Sequence, residues 1–461
     1  MSKISRREFI KRLGAGAAVV GTSTLAGCDS PTSSTSSSDS VLPDIPTDKM
    51  TYRRNPGTGT KVSILGYGCM RWPMKPKENG EGEELDQEQI NRLVDTAIAH
   101  GVNYFDTSPV YCQGQSEHAT GIALSRHDRS EYQIATKLSN FSPDAQTHEG
   151  AVRMYRNSFK ELQVDYLDYL LLHAIGGNIE DFNRRFVDNG IMDFLKAEKE
   201  AGRIRNIGFS FHGQQSVFDQ LMQFHDEGKY HWDFVQIQMN YLDWLHAGVQ
   251  SKYLYDELTR RNIPVVIMEP LLGGRLSKVN DHILREMKSR EPERTAASWA
   301  FRFCGTMENV MTILSGMTYM EHLEDNLRTF CPFTALSSEE LDFLEEMAVE
   351  IMTYPTIPCT GCQYCMPCPY GLNIPGIFAH YNKCVNDGMM PASSQDPEYA
   401  RLRKAFLVGY DRSVPRLRQA DHCVGCRQCV EHCPQHIDIP QQMDRIDEFV
   451  EKLKQGKSVT E

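Results

Sequence analysis

From residue 62 to about residue 330 two hydrophobic patterns alternate along the chain. Short, β-branched runs stand at Val62 to Leu65, Val102 to Thr107, Tyr132 to Lys137, Tyr166 to His173, Ile204 to Ser210, Phe234 to Asn240, Pro264 to Glu269 and Asn309 to Ser315. Between them lie helix-length amphipathic segments. In "DQEQINRLVDTAIAHG" the apolar Ile90, Leu93, Val94, Ala97 and Ile98 keep helical spacing. Asp86 reads as that helix's N-cap and Gln89 as its reciprocal partner. Eight strand–helix repeats predict an α/β fold, a (β/α)8 barrel of about 250 residues. An open doubly wound sheet is the alternative; no G-x-G-x-x-G follows any strand, which argues against it.

Barrel chemistry sits at the C-terminal ends of the strands. Those ends offer Asp106 in "YFDTS", Lys137 in "IATK" and His173 in "YLLLH", and the loop after the second strand offers Tyr111 in "PVYCQGQSE". Each alone is a weak signal, since a strand-end His is often a satisfied core residue and an Asp often caps the next helix. Together, at successive strand ends, they are specific. Through "FDTSPVY…G.SE", "ATK" and "LLH" the chain resembles the aldo/keto reductase family over roughly residues 52 to 330.

The resemblance implies interconversion of a carbonyl and an alcohol, with Tyr111 as general acid/base, Lys137 as its tuner, Asp106 as the lysine's partner and His173 as the group orienting the carbonyl oxygen. The residue types suit that chemistry. An alkoxide must be protonated as it forms; Tyr is a poor acid with its usual pKa of about 10, and a nearby Lys⁺ lowers it. The same resemblance places nicotinamide contacts at Ser210, Gln236, Met268 and Leu271, and an adenosine-phosphate loop at Gly316, Glu324 and Asn326. Three departures stand out. Ser210 is followed by Phe211 and His212 without the usual Asn, Met268 replaces a stacking Tyr, and the loop from Gly316 to His322 has no Lys or Arg for a 2′-phosphate. NAD(P)(H) is the implied cofactor; that loop argues against a strong NADP preference and leaves NAD, weak binding or no nicotinamide open.

The cysteines add a second chemistry. Of 14 in the chain, nine lie between Cys359 and Cys433, eight of them in two tight runs, which marks a local site rather than a disulfide framework. Cys423, Cys426, Cys429 and Cys433 before Pro434 have the bacterial ferredoxin spacing; Cys359, Cys362, Cys365 and Cys368 before Pro369 are one residue shorter before the last Cys. The pair of runs resembles a two-cluster [4Fe–4S] ferredoxin module. That resemblance implies one set of Cys359, Cys362, Cys365 and Cys433, and another of Cys423, Cys426, Cys429 and Cys368. Two zinc sites, each held by four cysteines, are the competing metal reading. Cys384, Cys69, Cys112, Cys304 and Cys331 read as buried or free thiols.

At the front, "SRREFIK" from Ser5 to Lys11 resembles a twin-arginine export signal, and "LAGC" ending at Cys28 resembles a lipoprotein processing site. The run from Leu13 to Ala26 is short for a bilayer span. The Ser/Thr-rich stretch after it cannot bury enough apolar surface to fold and would serve as a tether. The expected organisation is signal 1–28, tether 29–50, barrel 51–335 and helical dicluster domain 336–461. An export route for folded proteins suits clusters assembled in the cytoplasm; the expected location is a lipid-anchored protein facing the periplasm or cell exterior.

Composition narrows the partners. Lys plus Arg number 49 against 61 Asp plus Glu, a net charge of −12, and no basic patch is interleaved with aromatics, which argues against nucleic acid. The expected partners are a small carbonyl or alcohol, a redox protein or quinone-linked acceptor, and a membrane through the anchor. Nicotinamides move electron pairs whereas clusters move single electrons, and no flavin site is visible to convert between them. The leading reading is an exported iron–sulfur oxidoreductase of the aldo/keto reductase type. The alternative is an electron-transfer relay whose barrel is catalytically degenerate; a purely structural protein leaves eight placed cysteines unexplained.

Overall fold

The computed structural model describes residues 45–457. The expected signal and residues 29–44 of the expected tether lie outside the described residues. Eight strands form the centre: β1 (Leu65–Gly68), β2 (Tyr104–Asp106), β3 (Gln133–Leu138), β4 (Leu167–Ile175), β5 (Ile204–Phe211), β6 (Phe234–Gln238), β7 (Val265–Met268) and β8 (Val310–Ser315). They close into a barrel in chain order, and every neighbouring pair is parallel.

The first expected strand is corrected. Val62 to Leu65 straddles two elements, because Lys61–Ser63 pairs antiparallel with Tyr52–Arg54 and the barrel strand begins at Leu65. That hairpin stoppers the N-terminal end of the barrel. Val62 packs with Tyr104, Ala135, Tyr169, Phe234, Val266 and Met311, and Asn55 Nδ2 donates to the Tyr169 hydroxyl at 3.2 Å. The C-terminal mouth is left as the place for chemistry.

Helices cover the outside through their apolar stripes. In Gln87–Ala99 the buried positions are Ile90, Leu93, Val94 and Ala97, and Asp86 accepts the Gln89 N–H at the N-terminus. The expected reciprocal bond is not made, because Asp86's own N–H goes to Pro73 O at 2.9 Å. Helix Ser338–Ile351 falls on the barrel side of the expected boundary at 335. Its Phe343, Leu344, Met347 and Ala348 pack into the barrel's core, and Glu340 pairs with the buried Arg302 at 3.0 Å. The physical boundary follows residue 351.

Beyond it, helices Ile374–Asn386, Tyr399–Ser413 and Ile439–Lys454 enclose a second apolar core, including Ile377, Phe378, Phe406, Tyr410, Met443, Ile446 and Phe449. The two cysteine runs lead into the first and third helices by the same device. Each continues Cys-Pro-x-x-(Leu/Ile)-x-Ile-Pro, with Asn373 or Asp438 capping the helix and a Pro in its first turn. Among the described residues no helix is long and apolar enough to cross a membrane.

Candidate active site at the barrel mouth

Strand register decides which residues face inward. Asp106 pairs with Ala135 and Lys137 with Leu171. Ala135 and Leu171 both lie in the barrel's inner cluster, so by the two-residue period Asp106, Lys137 and His173 share that inner row. The inward face continues around the barrel through the pairs Leu171 with Gly208, Ser210 with Gln236 and Gln238 with Met268.

Four of the expected residues come together. Lys137 Nζ, buried, donates to Asp106 Oδ1 and to Thr107 O, the latter at 2.8 Å. The same Nζ lies 4.8 Å from the Tyr111 ring centroid. Tyr111 meets His173 edge-on with centroids 5.8 Å apart. Its turn is tight: Cys112 and Gln113 both take left-handed backbone, with φ of 49° and 56°. Ser116 Oγ, donating to Cys69 O at 2.7 Å, ties the loop to the end of β1.

Three supports were not visible in the sequence pattern. Ser139, just past β3, sits 2.6 Å from His173 Nδ1, and Ser108 stands 2.9 Å from Ser139. Arg185 Nη2 donates to His173 O at 2.6 Å, which gives the loop after β4 a bracing role. Glu117 accepts from Thr136 Oγ1 at 2.5 Å, one layer behind Lys137.

Electrostatics here follow burial. Burial first, then the charge of Asp106, pushes the Tyr111 phenol well above its usual pKa. The expected lowering by Lys137 is not seen in this state, because the lysine's charge is paired with Asp106 in the same buried space. Burial, helped by Lys137 and Arg185, drives the His173 imidazolium down, so His173 is neutral. Burial also raises the Asp106 carboxyl against the pull of Lys137, and Asp106 Oδ2 has no hydrogen-bond partner.

The cysteine module reaches this site directly. Tyr364, inside the first run, is buried beside Tyr111, and each phenol acts on the acidity of the other. The thiols of Cys359, Cys362 and Cys365 are close enough to repel one another and Cys433. Cys423 and Cys429 do the same with Cys426 and Cys368, and all four line one open pocket with Ile374, Ile439 and Met443. These are the two sets expected from the resemblance. Burial, and then crowding by the neighbouring thiols, pushes the Cys365 thiol up to about 12 and that of Cys429 to about 11. Such a set becomes favourable as thiolates around a cationic core, and so the donors fit iron–sulfur clusters. Among the described residues no three His, Cys, Asp or Glu side chains are grouped closely enough to hold a single metal ion. Cys69, Cys304, Cys331 and Cys384 are buried, Cys112 is half-buried, and no disulfide occurs among the described residues.

The nicotinamide positions are less accommodating. Ser210 Oγ already accepts the Ala174 N–H at 2.8 Å, and Asn326 Nδ2 donates to Ser315 Oγ at 2.8 Å. Glu324 faces Arg328 at 3.4 Å, Gly316 is exposed beneath the Arg71 side chain, and Met268 and Leu271 are half-buried. Gln236 Oε1 and His212 Nδ1 are buried without partners, polarity that a bound ring could meet. Ser210, Gln236 and Asn326 are thus buried, whereas Gly316 and the Glu324 side chain stay exposed.

Barrel, inward tetrad and cysteine module together define an oxidoreductase. The aldo/keto reductase family model matches residues 64–348, and a 4Fe-4S dicluster domain matches residues 358–437. The chain belongs to the aldo/keto reductase family. It is 24% identical over 336 residues to L-galactose dehydrogenase of Arabidopsis thaliana, covering 67% of this chain and 98% of that protein. It is also 24% identical over 308 residues to the uncharacterized oxidoreductase YqkF of Bacillus subtilis, covering 62% and 92%. In fold it is similar to the aldo-keto reductase AKR11C1 from Bacillus halodurans in its holo form, with TM-score 0.51, 21% identity and coverage of 65% and 96%. A Klebsiella pneumoniae aldo-keto reductase in complex with NADPH gives TM-score 0.50 at 21% identity, covering 64% and 93%.

Proposed function

We propose that the protein is an exported, lipid-tethered oxidoreductase that reduces a small carbonyl at Tyr111, with electrons entering through two [4Fe–4S] clusters. The observation that carries this reading is the approach of Tyr364, from within the first cysteine run, to the hydroxyl of Tyr111. Held above its usual pKa, the Tyr111 phenol is protonated, the state from which carbonyl reduction starts. As the carbonyl oxygen gains charge, Tyr111 gives up its proton. Lys137, 4.8 Å from the ring, and Tyr364 stabilise the phenolate that forms. Neutral His173, held through Nδ1 by Ser139, orients the oxygen. Phe141, 43% exposed and 5.2 Å from the His173 ring, marks the side from which substrate enters.

Clusters held by Cys359, Cys362, Cys365 and Cys433, and by Cys423, Cys426, Cys429 and Cys368, would supply single electrons from a redox protein or quinol-linked donor. NADP-containing structures of family members support nicotinamide as the rival electron source. Export rests on Arg6 and Arg7 and on Cys28. Replacing Arg6 and Arg7 by Lys should hold the protein in the cytoplasm. For the chemistry, Tyr111→Phe should abolish carbonyl turnover with iron content unchanged; full turnover in that variant rejects the reading in favour of a relay.

A further inference from the structure

The side of the mouth formed by β5, β6 and β7, which carries Ser210, Gln236 and Met268, is covered by the chain itself. Gln435 and Gln238 exchange two hydrogen bonds of 2.8 and 3.1 Å at the end of β6. After β7, Gly273 (φ +68°) lies so near Thr360 that a Cβ there would stand 2.4 Å from the Thr360 Cα. Beside it Arg275 Nη2 donates to Thr356 Oγ1 at 2.8 Å. After β5, His212 faces His436. Within the barrel beneath these contacts, Ser210 and Gln236 are 1% and 2% exposed. Arg71, at the end of β1, lies against Gly316 and donates to Thr360 O at 2.7 Å, so it spans the gap between the β8 loop and the module.

These contacts come from four loops of the barrel and from both cysteine runs with their flanks. We infer that this sector is the docking seat of the chain's own iron–sulfur module, that it excludes a nicotinamide dinucleotide, and that reducing equivalents reach the tetrad from the first cysteine set. The electron-source part rests on the reading of the tetrad as a carbonyl site. The balance closes without a dinucleotide. A carbonyl and two electrons and two protons give the alcohol, with Tyr111 supplying the proton on oxygen and water the proton on carbon. Clusters held by both cysteine sets would supply two electrons per chain, replenished by an external one-electron donor. Electrons delivered singly suit a conjugated carbonyl, whose one-electron adduct is delocalised, over a saturated ketone.

The test uses the full chain without its signal, its clusters assembled anaerobically, in equilibrium dialysis against NADPH and NADH separately up to about 1 mM, the edge of weak binding. Neither nucleotide should bind, and none should be released on denaturing the purified protein. One nucleotide per chain with a micromolar Kd overturns the inference. If that nucleotide is also oxidised by a carbonyl, the carbonyl reading survives while the inference falls. In parallel, Gly273→Val should wedge the module outward and speed amide exchange in the 269–275 and 212–214 loops at least tenfold. Gln435→Ala, a milder change, should raise exchange in 238–243. Unchanged exchange in both variants overturns the docking seat.

Discussion

Glu117 is 1% exposed, opens helix Ser116–Leu124 and has one strong partner, the Thr136 hydroxyl at 2.5 Å. Burial raises its carboxyl from the ordinary 4.5 to about 7. The folded state therefore holds a proton that the unfolded state releases between about pH 4.5 and pH 7, and stability falls as pH rises through that window. At 1.36 kcal/mol per pKa unit the penalty is about 3 kcal/mol at pH 8 and below about 1 kcal/mol at pH 5. Glu117→Gln keeps an acceptor for Thr136 and removes the charge. It should stabilise the protein by about 3 kcal/mol at pH 8 and little at pH 5. With roughly 280 residues in the barrel, at about 2.1 cal/mol/K each, the gain is about 5 °C in Tm. Thermal unfolding followed by far-UV circular dichroism, anaerobically and at both pH values, measures it. An equal shift at pH 5 and pH 8, or none at pH 8, refutes the buried-carboxyl argument.

Other consequences follow from the same geometry. Lys137→Met strands the buried Asp106 carboxylate, whose Oδ2 already lacks a partner, and should cost about 3–5 kcal/mol in denaturant unfolding as well as turnover. Asp106→Asn on that background should recover much of the stability and none of the activity. His173 is neutral in the fold and titrates near its ordinary value of 6.5 when unfolded, so the unfolded chain binds the extra proton. Against the opposing trend from Glu117, the stability of His173→Phe relative to the wild type should therefore rise as pH falls below about 6.5; a difference independent of pH contradicts the assignment. Cys433→Ala should remove the cluster of the first set although Cys433 closes the second run, leaving about four irons and the magnetic resonance signal of the Cys423 set.

Much of this was legible along the chain, for physical reasons. Parallel strands joined by helices leave a repeating signature, and seven of eight strand positions stand close to where periodicity places them. The first did not, because the plug strand Lys61–Ser63 and β1 are both short and run together in hydrophobicity. Asp106, Lys137 and His173 were readable because strand ends and the inward row coincide. The module's seat was not: Arg71 and Thr360 are 289 residues apart, and Gln238 and Gln435 are 197 apart. Local pattern carries no information on such pairs. Tyr364 was hidden in plain view, as one of the two residues between Cys362 and Cys365. The domain boundary was misplaced because Ser338–Ile351 reads as any amphipathic helix, and only its contacts with Trp299 and Arg302 assign it to the barrel.

Whether the tetrad is a carbonyl site fed from the cysteine module is met most directly by one experiment. The signal-less chain with both clusters assembled is reduced with dithionite, freed of excess reductant without oxygen, and mixed with a conjugated ketone while the visible cluster absorption is followed. Absorption should return as one alcohol forms per two electrons. In Tyr111→Phe the same clusters should reoxidise slower by at least about 100-fold, the scale of a lost general acid. Equal reoxidation in the two proteins, or reoxidation without alcohol, contradicts a carbonyl site fed by the clusters.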